Sequence, residues 1–145
     1  MIIKQISVFL ENRPGTLAEV LGVLGEHDIN LRAMAVADTA DFGILRLVVN
    51  EPDKVERVLR GANFAVKTTP VLAIKVSDQP GGLLTEIKRL TAAGINIEYV
   101  YAFATAASDE ARVVLKVDDL KKAEEVLREE SPNQDGLGDG PNFYW

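Results

Sequence analysis

The chain repeats itself. Pro14-Gly15 returns 66 residues later as Pro80-Gly81, and at the same spacing Leu17 returns as Leu83, Leu24 as Leu90 and Ile29-Asn30 as Ile95-Asn96. Farther on the spacing grows to 68, and Leu47, Val49, Lys54, Glu56, Val58, Leu59 and Arg60 return as Leu115, Val117, Lys122, Glu124, Val126, Leu127 and Arg128. The two extra residues fall between about 104 and 110, which reads as a loop. A period of this length is too long for a solenoid and suits a small domain present twice.

Each copy shows the same order of patterns. An alternating strand comes first, with Ile6, Val8 and Leu10 in one copy and Leu72, Ile74 and Val76 in the other. A turn ending in Pro-Gly leads into a helix with Leu17, Leu21 and Leu24, or Leu83, Ile87 and Leu90, along one face. That helix is expected to stop near 25–28 and at Gly94, where glycine takes a left-handed cap. Strands follow over 29–37 and 95–104, then over 43–49 and 111–117. A second helix has Pro52 in its first turn and Val55, Val58 and Leu59 inward. Its twin opens at Asp118-Asp119, a helix N-cap, with Leu120, Ala123 and Leu127 inward. Phe64-Ala65-Val66 closes the first copy as a short strand.

The order β-α-β-β-α-β is the ferredoxin-like unit. The predicted fold class is α+β, with two ferredoxin-like βαββαβ units at 1–68 and 69–130, each an antiparallel sheet with helices on one face. A unit of this size buries only about 60% of its extended-chain surface, so the two sheets are expected to close on each other. Residues 131–145 read as a C-terminal tail, a loop or irregular last strand, with Pro132-Asn133-Gln134 standing where Phe64-Ala65-Val66 stood. Its Phe143-Tyr144-Trp145 is expected to dock on the second sheet edge or on a partner. The second strands are apolar at nearly every position, over 33–37 and 99–103, and so call for cover on both faces. That points to the other half or a second chain, and a homodimer is expected.

Composition removes several functions. There are no cysteines, hence no disulfide, thiolate metal site or cysteine nucleophile. The net charge of −6 without a basic block disfavours nucleic acid and anionic membranes as partners. No run of about 18 apolar residues exists, and the N-terminus lacks a signal-peptide pattern, so a cytoplasmic setting is expected. The single histidine, His27, falls at a helix C-terminus, where a cation is favourable. Arg32, Arg46 and Glu98 sit on strands, as solvated or ion-paired residues. No nucleophile elbow, zinc-protease motif, P-loop or dinucleotide fingerprint occurs, so no catalytic residues, metal or cofactor are expected.

One constellation occurs twice at a place suited to a ligand. Glu11-Asn12-Arg13-Pro14-Gly15 and Asp78-Gln79-Pro80-Gly81-Gly82 each join a first strand to a first helix. Glycine there lets a ligand approach the backbone, and the helix start offers N–H groups and positive potential to an anion. Asn12 and Asp78 also have the chemistry of helix caps. Fifteen residues after each glycine an Asn, Asn30 or Asn96, opens the next strand.

The pattern N/D-x-P-G-x-L followed by I-N-I/L within a βαββαβ unit resembles the ACT domain, a small regulatory module that binds free amino acids. Both halves match, as NRPGTL with INL and DQPGGL with INI, over about residues 1–130. The resemblance implies a non-catalytic regulatory protein holding a free L-amino acid at interfaces between ACT units. The implied ligand residues are Asn12, Gly15, Thr16, Leu17, Asn30 and Leu31 in the first half. In the second half they are Asp78, Gly81, Gly82, Asn96 and Ile97. Asp78 replaces an amide by an anion, which repels a carboxylate and suits an ammonium, so the two sites are expected to differ. The second site is expected to be weaker than the first-half site with Asn12 and Asn30, or differently selective. The stretch Val8 to Gly15 also resembles the opening V-x-L-E-N-x-x-G of acetolactate synthase small subunits. The alternative is therefore a regulatory subunit of such a biosynthetic enzyme, which would then be a partner.

Overall fold

The computed structural model describes residues 1–38, 41–104 and 110–129. The elements in chain order are β1 (Ile2–Glu11), α1 (Thr16–Glu26), β2 (Leu31–Asp38), β3 (Phe42–Val49), α2 (Pro52–Gly61) and β4 (Ala65–Ser77), followed by α3 (Gly82–Ala92), β5 (Ile97–Ala102), β6 (Glu110–Val117) and α4 (Leu120–Glu129). The alternation of β1 is realised, with Ile6, Val8 and Leu10 buried under α1 and α2. The expected helix stop at Gly94 is realised at φ 74°, whereas in the first copy Asp28 rather than Gly25 takes the left-handed turn, at φ 55°. Aspartate tolerates that region because its short side chain bonds locally. His27 stands at the end of α1 with its Nδ1 2.9 Å from the Val23 carbonyl. Asp119 caps α4 by accepting from the Lys122 N–H at 3.1 Å.

The two units do not form two separate four-stranded sheets. They share one six-stranded antiparallel sheet in the order β2-β3-β1-β4-β6-β5. The short strand expected at Phe64-Ala65-Val66 is instead the start of a 13-residue strand that runs on through position 68 into the second unit. One stretch of β4 pairs with β1, from Phe9↔Ala65 to Ile2↔Leu72. The other pairs with β6, from Leu72↔Leu115 to Ser77↔Glu110. Pro70 does not interrupt it. Ala73 exchanges backbone bonds with Met1 on the β1 side, so residue 70 turns its nitrogen to the opposite edge, where the β6 ladder has not yet begun. The tail at 130–145 lies outside the described residues, and with it the docking expected of Phe143-Tyr144-Trp145.

Side chains alternate across β4. Val66 joins the core under α1 and α2, and Leu72 and Ile74 join the core under α3 and α4. Both helix pairs therefore cover the same face. Val71 and Ala73 point the other way, into a third core with Ala33, Val48, Phe103 and Val114. That core forms because the sheet folds over until its outer strands meet. Ala33 bridges Phe103 antiparallel, and the Ala104 N–H donates to the Arg32 carbonyl at 2.9 Å. The second face of β2, expected to need cover, is thus covered at Ala33 by the other half of the same chain.

The enclosed space also holds a polar knot. Gln5 is fully buried. Its Nε2 donates to the Tyr99 hydroxyl at 2.8 Å and its Oε1 accepts from Tyr101 at 2.6 Å. The Arg46 guanidinium lies 3.8 Å above the Tyr99 ring. Burial raises the Tyr101 pKa, so its phenol stays a donor through the ordinary pH range. These contacts tie β1 and β3 to β5 across the interior. Gln5→Leu strands both hydroxyls and is expected to cost about 2 kcal/mol, read as a fall of about 5 °C in thermal midpoint. An unchanged midpoint would show that the knot contributes nothing.

Candidate functional site

The Pro-Gly turns have the same build in both units. Gly15 at φ 93° and Gly81 at φ 83° stand in the left-handed region as the N-cap residues of α1 and α3. Asn12 and Asp78 are not the N-cap residues, which are Gly15 and Gly81, and among the described residues neither helix start carries a side-chain cap bond. The left-handed glycine turns the chain so sharply that residue 12 is left outside the first turn, where its N–H donates to the Asp41 carbonyl at 3.1 Å. Thr16 instead ties the turn from within, its Oγ1 donating to the carbonyls of Glu11 at 3.0 Å and Arg13 at 3.2 Å. Gly82 has a different task. A Cβ on it would stand 2.0 Å from the Ser77 carbonyl oxygen. Leu17 and Leu83, expected inward, are each 37% exposed at the helix starts.

Asn30 and Asn96 lie far from the turns of their own units. Leu31 pairs with Val49, which stands level with Lys4 in the register of β1 and β3. That is seven residues short of Glu11, or about 24 Å of strand. Asn12 and Asn30, expected in one site, are therefore not brought together within one chain. The same holds for Asp78 and Asn96.

The folded-over sheet makes a different match. Arg32 stands beside Ala104 at the seam, and Ala104 stands at the end of β5, level with Ala111 and Val76. Asn30 is thus at the same end of the sheet as the turn at 78–82. Carried along the seam, the register sets Asn96 at the same end as the turn at 11–15. The separation is three strand spacings, about 14 Å along the sheet. Both second strands carry the same irregularity at their starts, between Leu31 and Ala33 and between Ile97 and Tyr99. The ends are not equivalent in their bonding. Asn96 is tied down by Asp118, which accepts from its N–H at 3.0 Å and donates to its carbonyl at 3.1 Å. Among the described residues no such pair of bonds holds Asn30.

Sequence reading passed over Gln5, Tyr99 and Tyr101. The available signal was a glutamine on the alternating strand at the odd positions, set against Val71 at the same place in the second copy. Among the described residues no three His, Cys, Asp or Glu side chains converge as a metal site. No described helix is long and apolar enough to cross a membrane.

Two ferredoxin-like units share one sheet, and each presents behind a left-handed glycine a helix start with no side-chain cap among the described residues. The family model of the ACT domain pair matches residues 1–133, and the chain belongs to that family. The crystal structure of a protein from Bacteroides thetaiotaomicron matches with a TM-score of 0.83 and 43% identity, over 89% of this chain and 88% of that one. The regulatory subunit of aspartate kinase from Thermus thermophilus matches with a TM-score of 0.63 over 88% of this chain and 93% of that one, at 15% identity, a likeness of fold. A probable acetolactate synthase small subunit from Archaeoglobus fulgidus is 35% identical over 75 residues, 50% of this chain and 47% of that protein. The chain spans about half the length of that curated relative.

Proposed function

We propose that this chain is a non-catalytic regulatory protein that binds a free L-amino acid where the Pro-Gly turn of one unit faces the strand start of the other. One site comprises Asn12, Gly15, Thr16 and Leu17 with Asn96 and Ile97. The other comprises Asp78, Gly81 and Gly82 with Asn30 and Leu31. The observation that carries the reading is the seam, where the Ala104 N–H bonds to the Arg32 carbonyl and so sets Asn30 at the end of the sheet that holds Asp78. The carboxylate is taken by the uncapped helix start and the ammonium group by the side-chain oxygens of the turn and the Asn. The turn at 78–82 with its freer Asn30 is the stronger site, reversing the order expected from sequence.

The protein works as a homodimer in the cytoplasm. Support for the dimer comes from Val36 and Val100, which are 53% and 43% exposed on the outer face beside the seam, and from Leu84 at 54% on α3. Regulation of a biosynthetic enzyme in trans is supported by the 35% identity to a probable acetolactate synthase small subunit over half of this chain. Asn30→Ala removes one hydrogen bond to a charged ligand group and is expected to weaken binding by roughly tenfold to a hundredfold. Calorimetric titration of the intact variant checks this, and undiminished affinity would remove Asn30 from the site.

A further inference from the structure

We propose that Arg32 is a side-chain-reading residue of the seam site and selects an amino acid with an acidic side chain. The proposal rests on the reading of the seam as a ligand site and adds the class of ligand. Arg32 is half-buried at the start of β2, and among the described residues its buried Nε donor has no acceptor. A guanidinium carries five N–H donors in a fixed fork and cannot shed its proton, so an unmatched buried donor marks a place for an anion.

The repeat sharpens the point. The residue at the equivalent position of the second unit is Glu98, and it is satisfied, accepting from Lys116 Nζ at 2.9 Å. The residue that stands where Lys116 stands is Val48, which is 2% exposed and offers no side-chain acceptor. One half closes its charge within the sheet, and the other leaves a cation at the seam. That cation lies at the end of the sheet where Asp78 supplies the opposite charge and α3 begins with no side-chain cap, its Gly82 N–H held by the Gln79 carbonyl at 2.9 Å and its next N–H groups facing outward from the turn's end of the helix. With the α-carboxylate on the helix start and the ammonium group near Asp78, the remaining cation is matched by a second carboxylate. Two parallel N–H···O bonds from the guanidinium fork suit that group.

The test is calorimetry on the intact chain with L-aspartate, L-asparagine, L-glutamate and L-glutamine. At least one acid is expected to bind roughly tenfold to a hundredfold more tightly than its amide. Arg32→Gln should abolish that preference, leaving acid and amide of equal affinity in a variant whose circular dichroism matches the wild type. Arg32→Lys, which keeps the charge without the fork, should restore part of it. Equal affinity for acid and amide in the wild type, or a preference that survives Arg32→Gln, overturns the assignment. Binding of neutral amino acids alone overturns it and leaves the proposed function standing. Failure of all four to bind overturns the assignment, and failure of all twenty L-amino acids overturns the proposed function as well.

Discussion

Gly82→Ala is expected to be among the most damaging single changes in this chain. The new methyl would stand 2.0 Å from the Ser77 carbonyl oxygen and 2.9 Å from its carbonyl carbon, both backbone atoms that cannot swing aside. Relief requires the turn between β4 and α3 to open, which disturbs the end of the strand both units share. The expected loss is about 3 kcal/mol or more, a fall of roughly 10 °C in thermal midpoint. The neighbouring Gly81 is a useful contrast. It has open space around its Cβ position but a φ of 83°. Gly81→Ala should therefore cost only the left-handed strain, about 1–2 kcal/mol. Gly15 is like Gly81 in this respect, so a valine there would strain the fold as well as obstruct a ligand. An unaltered midpoint for Gly82→Ala would mean that the turn is built differently.

The second large effect is expected at Leu72. It is fully buried on β4, pairs with Ile2 of β1 and Leu115 of β6, and packs with Leu90, Leu115 and Ala123 under α3 and α4. Leu72→Ala should cost about 3–5 kcal/mol, the range for emptying a packed leucine site. Its location adds a qualitative expectation. A strand common to both units, a third core between them and the knot around Gln5 leave no independent half to survive. Urea unfolding followed by circular dichroism should give one transition in the wild type and one in the variant, shifted with unchanged slope. Biphasic unfolding, with the first unit persisting, would show that the shared strand does not couple them.

Much of this architecture is legible in the residues because local signals and burial agree. The alternation at Ile6, Val8 and Leu10, the Pro-Gly turns and Pro52 each specify an element without help from distant parts of the chain. The shared strand is not legible. Lys67-Thr68-Thr69-Pro70 has no apolar period and contains a residue that ordinarily ends a strand. Its conformation is set by pairing with β1 on one side, which tolerates proline on the other. The seam is equally silent, because Ala33 and Phe103 carry no mark of becoming neighbours until the sheet folds over. Consequently the turns are legible in the sequence, but which Asn stands at the same end of the sheet as each turn is not. Asn12 and Asp78 fail as helix caps for a local reason, since the left-handed Gly15 and Gly81 take the N-cap positions.

Two ACT units joined by one strand are proposed to form amino-acid sites across their seam. Isothermal calorimetry of the intact chain against the twenty L-amino acids, taken singly, tests it most directly. At least one is expected to bind more tightly than about a millimolar, roughly −4 kcal/mol, and to lose affinity on Asn30→Ala. No heat of binding from any of the twenty at that level would contradict it.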